Sequence, residues 1–281
     1  MNGVGEPYLI ITDTNSPHSF TLKPEDASKL QGADIVFWIG EEIETFLEKP
    51  LGSIAIRARK ISFMESDDIQ KLKFRENSIF DEHDDHDDHE EHDDHDDHEE
   101  HDDHDKHDDH GHHHGEFDSH IWLDPINAKE IVSIIADELS LIDPSNKSKY
   151  IENAKSTATQ LDNLIRETEK TLDKDISYVV FHDAYQYFEE RFNVAASGAL
   201  TLNTDVLPGA RQIMNIRELI EDKNISCILS EPQFNPKIIE TIAQDTGIKT
   251  GVLDPLGSIF DAGKSQYFTL INDLGDKLKD C

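Results

Sequence analysis

From His83 to His114 the chain has 32 consecutive residues, none of which can enter a hydrophobic core. Histidine stands at every third position from His83 to His110, and the unit HDDHDDHEE occurs twice in full. Aspartate is a poor helix former, and a period of three drifts around a helix of 3.6 residues per turn. Such a tract has to be carried outside any packed fold. It is expected to form a solvated, disordered loop over 81–116, interrupting a domain that resumes at Phe117. Whatever folds must therefore assemble from the chain on either side.

The tract also holds much of the charge. The net charge is -34, of which residues 83 to 114 supply -16, from 17 acidic side chains and one lysine. The remaining chain still carries -18. A field of that sign repels nucleic acid and anionic lipid and attracts metal cations. No run of 18 apolar residues is present, so no membrane insertion is expected. The opening MNGVGEPYLI lacks a basic stretch followed by an apolar one, so no signal peptide is read there.

Outside the tract, short β-rich runs alternate with helical ones. The runs are Tyr8–Thr12, Asp34–Ile39, Ser53–Arg57, Tyr178–Phe181, Cys227–Ser230 and Lys249–Leu253. Helical stretches lie at Pro24–Leu30, Pro125–Leu141, Ala210–Glu221 and Pro236–Thr246. This alternation predicts an α/β fold with mostly parallel sheets flanked by helices. From Pro144 to Leu172 no internal Gly or Pro occurs, and Tyr150, Ala154, Ala158, Leu161, Ile165 and Leu172 recur at helical spacing. Asp143 or Ser145 can cap this segment. It is long for a crossover helix and suits a strut between two lobes. The expected division is a first lobe over 1–142, a linking helix over 143–173 and a second lobe over 174–281.

Of 16 histidines, 13 lie in the tract. The other three are His18, His120 and His182, each in a polar turn beside a predicted strand: SPHSF, DSHIWLDP and FHDAY. Ligand sites of α/β folds gather at strand ends. Asp254, in VLDPLG, is a fourth candidate, with a turn cap before Pro255 as its plainer role. Three imidazoles with one carboxylate suit tetrahedral Zn²⁺. Asp124 reads as a helix cap. Glu231 reads as a cap or as a buttress to a ligand. The tract histidines, His83, His86, His89, His92, His95, His98, His101, His104, His107, His110, His112, His113 and His114, are candidates for weak secondary zinc binding that protons displace as pH falls. A charged linker is the other reading of that tract. Cys227 and Cys281 have no metal-type neighbours, and their spacing leaves open either two unrelated thiols or a disulfide.

The segments PHSFTLKP, DSHIWLDP, FHDAYQYFEERF, SEPQFNP and LDPLG, in this order, resemble the ZnuA-type zinc-binding component of bacterial ABC transporters. The long midchain helix and the acidic histidine tract before DSHIW fit the same family, and the resemblance covers almost the whole chain. It implies two α/β lobes joined by one long helix, with zinc in the cleft between them. It also implies a periplasmic location and delivery of zinc to a membrane permease driven by a cytoplasmic ATPase. The metal ligands carry over as His18, His120 and His182, with Asp254 or a water completing the shell. A disulfide known in several family members maps onto Cys227 and Cys281. Two departures stand out. The family chain begins with another strand and helix before GVGEP, so the first lobe is expected to lack a sheet strand and part of its core. Some relatives have Glu immediately before the first histidine, where this chain has Pro17.

Rival readings remain within view. Manganese-binding relatives tend to place Glu where His182 stands, and the third imidazole favours Zn²⁺ over Mn²⁺. A hydrolytic enzyme can also use three histidines and a water, but it needs an open coordination position and a nearby base. A storage or adhesion protein would use the tract itself. The expectation is a monomeric zinc carrier and not an enzyme.

Overall fold

The computed structural model describes residues 1–12, 15–80, 115–202, 204 and 207–281. The tract histidines and its expected disorder lie outside the described residues. The first part of the chain contributes helix α1 (Pro24–Gly32), strand β1 (Ile35–Trp38), helix α2 (Glu48–Ser53), strand β2 (Arg59–Ser62) and helix α3 (Pro125–Ile142). Helix α4 (Lys147–Thr171) follows after a short turn at Pro144–Asn146. The rest alternates strictly: β3 (Tyr178–His182), α5 (Gln186–Phe192), β4 (Gly198–Thr201), α6 (Ala210–Asp222), β5 (Cys227–Ser230), α7 (Lys237–Thr246), β6 (Lys249–Val252) and α8 (Gln266–Lys279). The result is two parallel sheets flanked by helices, as the alternation predicts.

The first sheet pairs β1 with β2, Ile35 opposite Arg59 and Trp38 opposite Ser62. The second has the order β4-β3-β5-β6, every pair parallel. The chain steps from β3 to β4 on one side, then crosses back to β5 on the other. The carboxyl ends of β3 and β5 thus flank a topological switch point, where α/β sheets leave a crevice.

Two expected strands come out differently, and one strand appears where none was expected. Tyr8–Thr12 forms no strand. It has no ladder partner among the described residues, and Tyr8 and Leu9 stay exposed despite their β propensity. Ser53–Arg57 is the end of α2 and the turn after it, because Ile54 N and Ala55 N both donate to Pro50 O. Ile56 in that run faces solvent, and pairing with β1 begins at Arg59. Strand β4, with the short sequence GALT, was not anticipated. It is buried at every position and so shows no alternation. Gly198 is needed there: a Cβ would stand 2.7 Å from Ser78 O, where residues 78–80 cover the sheet edge through Ala199 N to Ser78 O and Phe80 N to Ser197 O.

Helix α4 has 25 residues, about 38 Å at 1.5 Å per residue. The Asp143 carboxylate organises its start by accepting from Asn146 Nδ2 at 2.7 Å and the Tyr150 hydroxyl at 2.9 Å. It packs along α3 on one side and α8 on the other. Leu161 and Leu164 of α4 join a single core that runs from Phe63, Ile121 and Leu123 to Tyr178, Leu229 and Leu274. Arg75, in the segment leading to the histidine tract, reaches over to the second sheet. It donates to Asp183 at 2.8 Å and Glu189 at 2.6 Å and covers the Phe80 ring. Burial raises the Asp183 carboxyl to about 7 in spite of that cation.

A disulfide joins Cys227 at the start of β5 to Cys281 after α8, across a sequence separation of 54. It pins the last helix to the middle of the second sheet. Replacing both cysteines by Ser is expected to cost about 2–4 kcal/mol, read from urea unfolding, by freeing the unfolded chain. Thiol counting under denaturing, non-reducing conditions should find none. A second prediction concerns Glu44, whose Oε2 accepts from Ile39 N at 2.6 Å after β1. Burial raises its carboxyl from 4.5 to about 7. The folded state therefore holds a proton that the unfolded state releases, and stability is lost as pH rises from about 4.5 through 7. Glu44→Gln should match the parent near pH 4 and exceed it at pH 8 by about 2–3 kcal/mol in thermal or urea unfolding. Equal gains at both pH values would show that the charge is not responsible.

Candidate metal centre

His182 is the last residue of β3, at the switch point, and both it and His120 are almost fully buried. His120 sits at the start of the turn Ile121–Leu123 that leads into α3. His18 lies in the turn Pro17–Ser19, where its backbone N–H donates to Ser16 Oγ at 3.3 Å. These three residues, far apart in sequence, bring ligand atoms within 4.8 Å of one another. His120 Nε2 is 3.3 Å from His18 Nε2 and 3.3 Å from His182 Nε2.

Tautomers decide what those short distances mean. His120 Nδ1 is 2.6 Å from Asp118 Oδ1, and His182 Nδ1 is 2.7 Å from Glu231 Oε1. A carboxylate only accepts, so each Nδ1 must carry a proton. In the neutral rings each Nε2 is then a lone pair, and His120 and His182 point these lone pairs at each other. Two acceptors at that distance repel; a cation between them turns the repulsion into bonding. Tetrahedral zinc with bonds of about 2.0–2.1 Å sets its nitrogen ligands about 3.3 Å apart. The two spacings from His120 match that edge.

The surroundings hold the rings in place from both sheets. Trp122 Nε1 donates to Pro255 O at 2.8 Å, and the Tyr267 hydroxyl donates to Trp122 O at 2.8 Å. The Tyr187 hydroxyl donates to Asp118 O at 2.6 Å. Asp124 caps α3 by accepting from Ile126 N, and it also pairs with both arms of Arg191. The turn carrying His120 is therefore gripped by groups from the second half of the chain. Phe234 stands edge-on to His182 and stacks on Phe181. The rings enclose about 10 Å³, beside a larger cleft of about 630 Å³ with which they share Pro17, Trp122 and Leu256. The chamber is the size of one ion or one water. For His120, burial favours the neutral ring, but the Asp118 carboxylate and its hydrogen bond outweigh it, so the pKa rises.

Asp254 is not in the cluster. It is buried after β6, and its oxygens accept from Leu256 N at 3.0 Å, Ser258 N at 2.7 Å, Ser258 Oγ at 2.8 Å and Gln233 Nε2 at 2.8 Å. This is the turn-capping role, with Gly257 at φ +59 completing the turn. Glu231 takes the buttressing role. Asp118 had no signal beyond a carboxylate two residues before a histidine.

Residues 2–281 match the family described as ZnuA, zinc-uptake complex component A, periplasmic. The chain belongs to the ZnuA family. The high-affinity zinc uptake system protein ZnuA of Brucella abortus (strain 2308) is 44% identical over 288 residues, covering 100% of this chain and 86% of that protein. The fold is also that of a crystal structure of ZnuA, at a TM-score of 0.70 and 20% identity, over 96% of this chain and 89% of that one. A manganese-bound periplasmic metal-binding protein from Candidatus Liberibacter asiaticus superposes with a TM-score of 0.71 at 20% identity, over 96% and 89%. ZnuA architecture alone thus does not choose the metal, and the donor atoms have to.

Because Asp118 and Glu231 fix the tautomers, Asp118→Asn and Glu231→Gln should each weaken zinc binding by about 10–100-fold. Competition against a chromophoric chelator reads this. Unchanged affinity in both would show that the rings are oriented by packing alone.

Proposed function

We propose that this chain captures Zn²⁺ in the periplasm and surrenders it to the permease of an ABC transporter, working as a monomeric carrier. His18, His120 and His182 would hold the ion through Nε2, with a water as the fourth ligand in place of Asp254, whose oxygens are taken up by its own turn and Gln233. Residues 1–142 and 174–281 would act as the two lobes and 143–173 as the strut between them. The observation that carries this reading is the 3.3 Å spacing of His120 Nε2 from His18 Nε2 and His182 Nε2, with the carboxylates turning the lone pairs of His120 and His182 inward. Three nitrogen donors and no carboxylate ligand favour Zn²⁺ over the harder Mn²⁺. A carrier role also agrees with the carboxylates at the chamber. Asp118 and Glu231 are each engaged with an imidazole, so neither serves as the base a hydrolytic zinc site requires. The 13 tract histidines would gather zinc weakly around the tight site.

Replacing any one of the three histidines with Ala should weaken the tightest zinc site by more than about 100-fold, beyond what loss of an outer partner costs. Calorimetry with a competing chelator separates this site from the tract. If all three variants bound zinc like the parent, the assignment would be wrong. In a competition with equimolar Mn²⁺ the parent should keep Zn²⁺. Retention of Mn²⁺ would move the chain to the manganese branch.

A further inference from the structure

Gln233, on the loop after β5, lines the imidazole chamber. Its Nε2 donates to Asp254 Oδ1 at 2.8 Å and to Ser258 Oγ at 3.3 Å. Amide oxygen and nitrogen are usually hard to tell apart, but here the chemistry decides. A carboxylate only accepts, so the NH₂ must face Asp254. The carbonyl Oε1 is thereby turned away from Asp254. It is buried and has no hydrogen-bond partner among the described residues. A buried acceptor left unmet is costly, and native folds seldom keep one without a use. Asp254 is itself held by Leu256 N, Ser258 N and Ser258 Oγ, so an amide that turned over would set its carbonyl against a fixed carboxylate.

We propose that Gln233 is the positioning residue for the fourth zinc ligand: its Oε1 accepts a hydrogen bond from the water that completes the three-imidazole shell, and Asp254 acts on the metal only through Gln233. This rests on the reading of the three histidines as the zinc site. It joins three observations that otherwise stand apart: a buried aspartate with its oxygens fully used, an amide held one way round, and an orphaned carbonyl oxygen on a residue that lines the chamber. A neutral acceptor has a further consequence. It orders the water without taking its proton or adding charge, so the fourth corner stays neutral and exchangeable. A carboxylate ligand there would hold the ion more tightly and yield it more slowly.

The test uses the full chain, with zinc affinity from chelator competition and Co²⁺ as a spectroscopic stand-in. Gln233→Met keeps the volume and removes the acceptor. Asp254→Asn takes away the charge that holds the Gln233 NH₂, freeing the amide to turn over and point its NH₂ at the metal. Each variant should bind zinc about tenfold more weakly. The double variant should be no weaker than the worse single, because both changes remove one interaction. The visible Co²⁺ spectrum should shift in both singles, a change that a role in folding alone would not produce. If Asp254→Asn fails to fold, Ser258→Ala takes its place with a smaller loss expected, since it removes one of the two partners of Gln233 Nε2. Parent-like affinity and Co²⁺ spectrum in Gln233→Met, or multiplicative losses in the double variant, would overturn the proposal. A parent that binds no zinc would instead overturn the zinc reading itself.

Discussion

Two buried carboxylate–imidazole hydrogen bonds, Asp118 to His120 and Glu231 to His182, are the constraint on which the rest of the site depends. They decide which ring nitrogen is free, and with it the direction of each lone pair. Without them the same three histidines could satisfy one another as ordinary donors and acceptors. With them, the inward-facing atoms of the neutral His120 and His182 rings have nothing to offer each other, and a shared cation reconciles them. Both carboxylates are supplied at places the backbone already defines. Glu231 follows β5, directly across the switch point from His182 at the end of β3. Asp118 sits two residues before His120, where its Oδ1 also accepts the His120 backbone N–H at 3.0 Å.

The scaffold keeps this geometry stiff. Helix α4 packs against α3 and α8, and one apolar core passes through it from Phe63 to Leu274. The turn bearing His120 is held by Arg191, Tyr187, Tyr267 and Pro255 from the other side of the cleft. The two sheets thus share one core through this helix, and close packing of that kind leaves little room for independent movement. His18 differs. It rides on a three-residue turn and is only partly buried.

Much of this was legible in the sequence, for identifiable reasons. The strands Ile35–Trp38, Tyr178–His182 and Cys227–Ser230 announce themselves as apolar runs bounded by polar turns, and Lys249–Val252 by its place between a helix and the turn at Asp254. The long helix does so by its spacing and the absence of Gly and Pro. The histidines stood out by elimination, once the 13 in the tract were set aside. Where pattern and packing part company, the reading failed. Tyr8–Thr12 has strand composition without a neighbour to pair with. Ile54 and Ile56 alternate convincingly but belong to a turn. Gly198–Thr201 pairs well, but half of it is Gly and Ala, which carry little strand signal. The carboxylates were hardest. In a chain with 60 acidic residues, neither type nor spacing marks Asp118. Asp254 looked equally suited to two roles, and only its four hydrogen-bond donors separate them. Gln233 carried no signal, because its meaning lies in which way round its amide is held.

The chamber between the rings has a consequence for hydration. At about 10 Å³ it has no room for an ion that keeps its water shell. A cation held there by three imidazoles would leave all but about one of its waters behind. Selection would then be made twice, once by what the nitrogens prefer and once by how readily an ion dehydrates. Mg²⁺, which gives up water reluctantly and seeks oxygen ligands, is disfavoured on both counts.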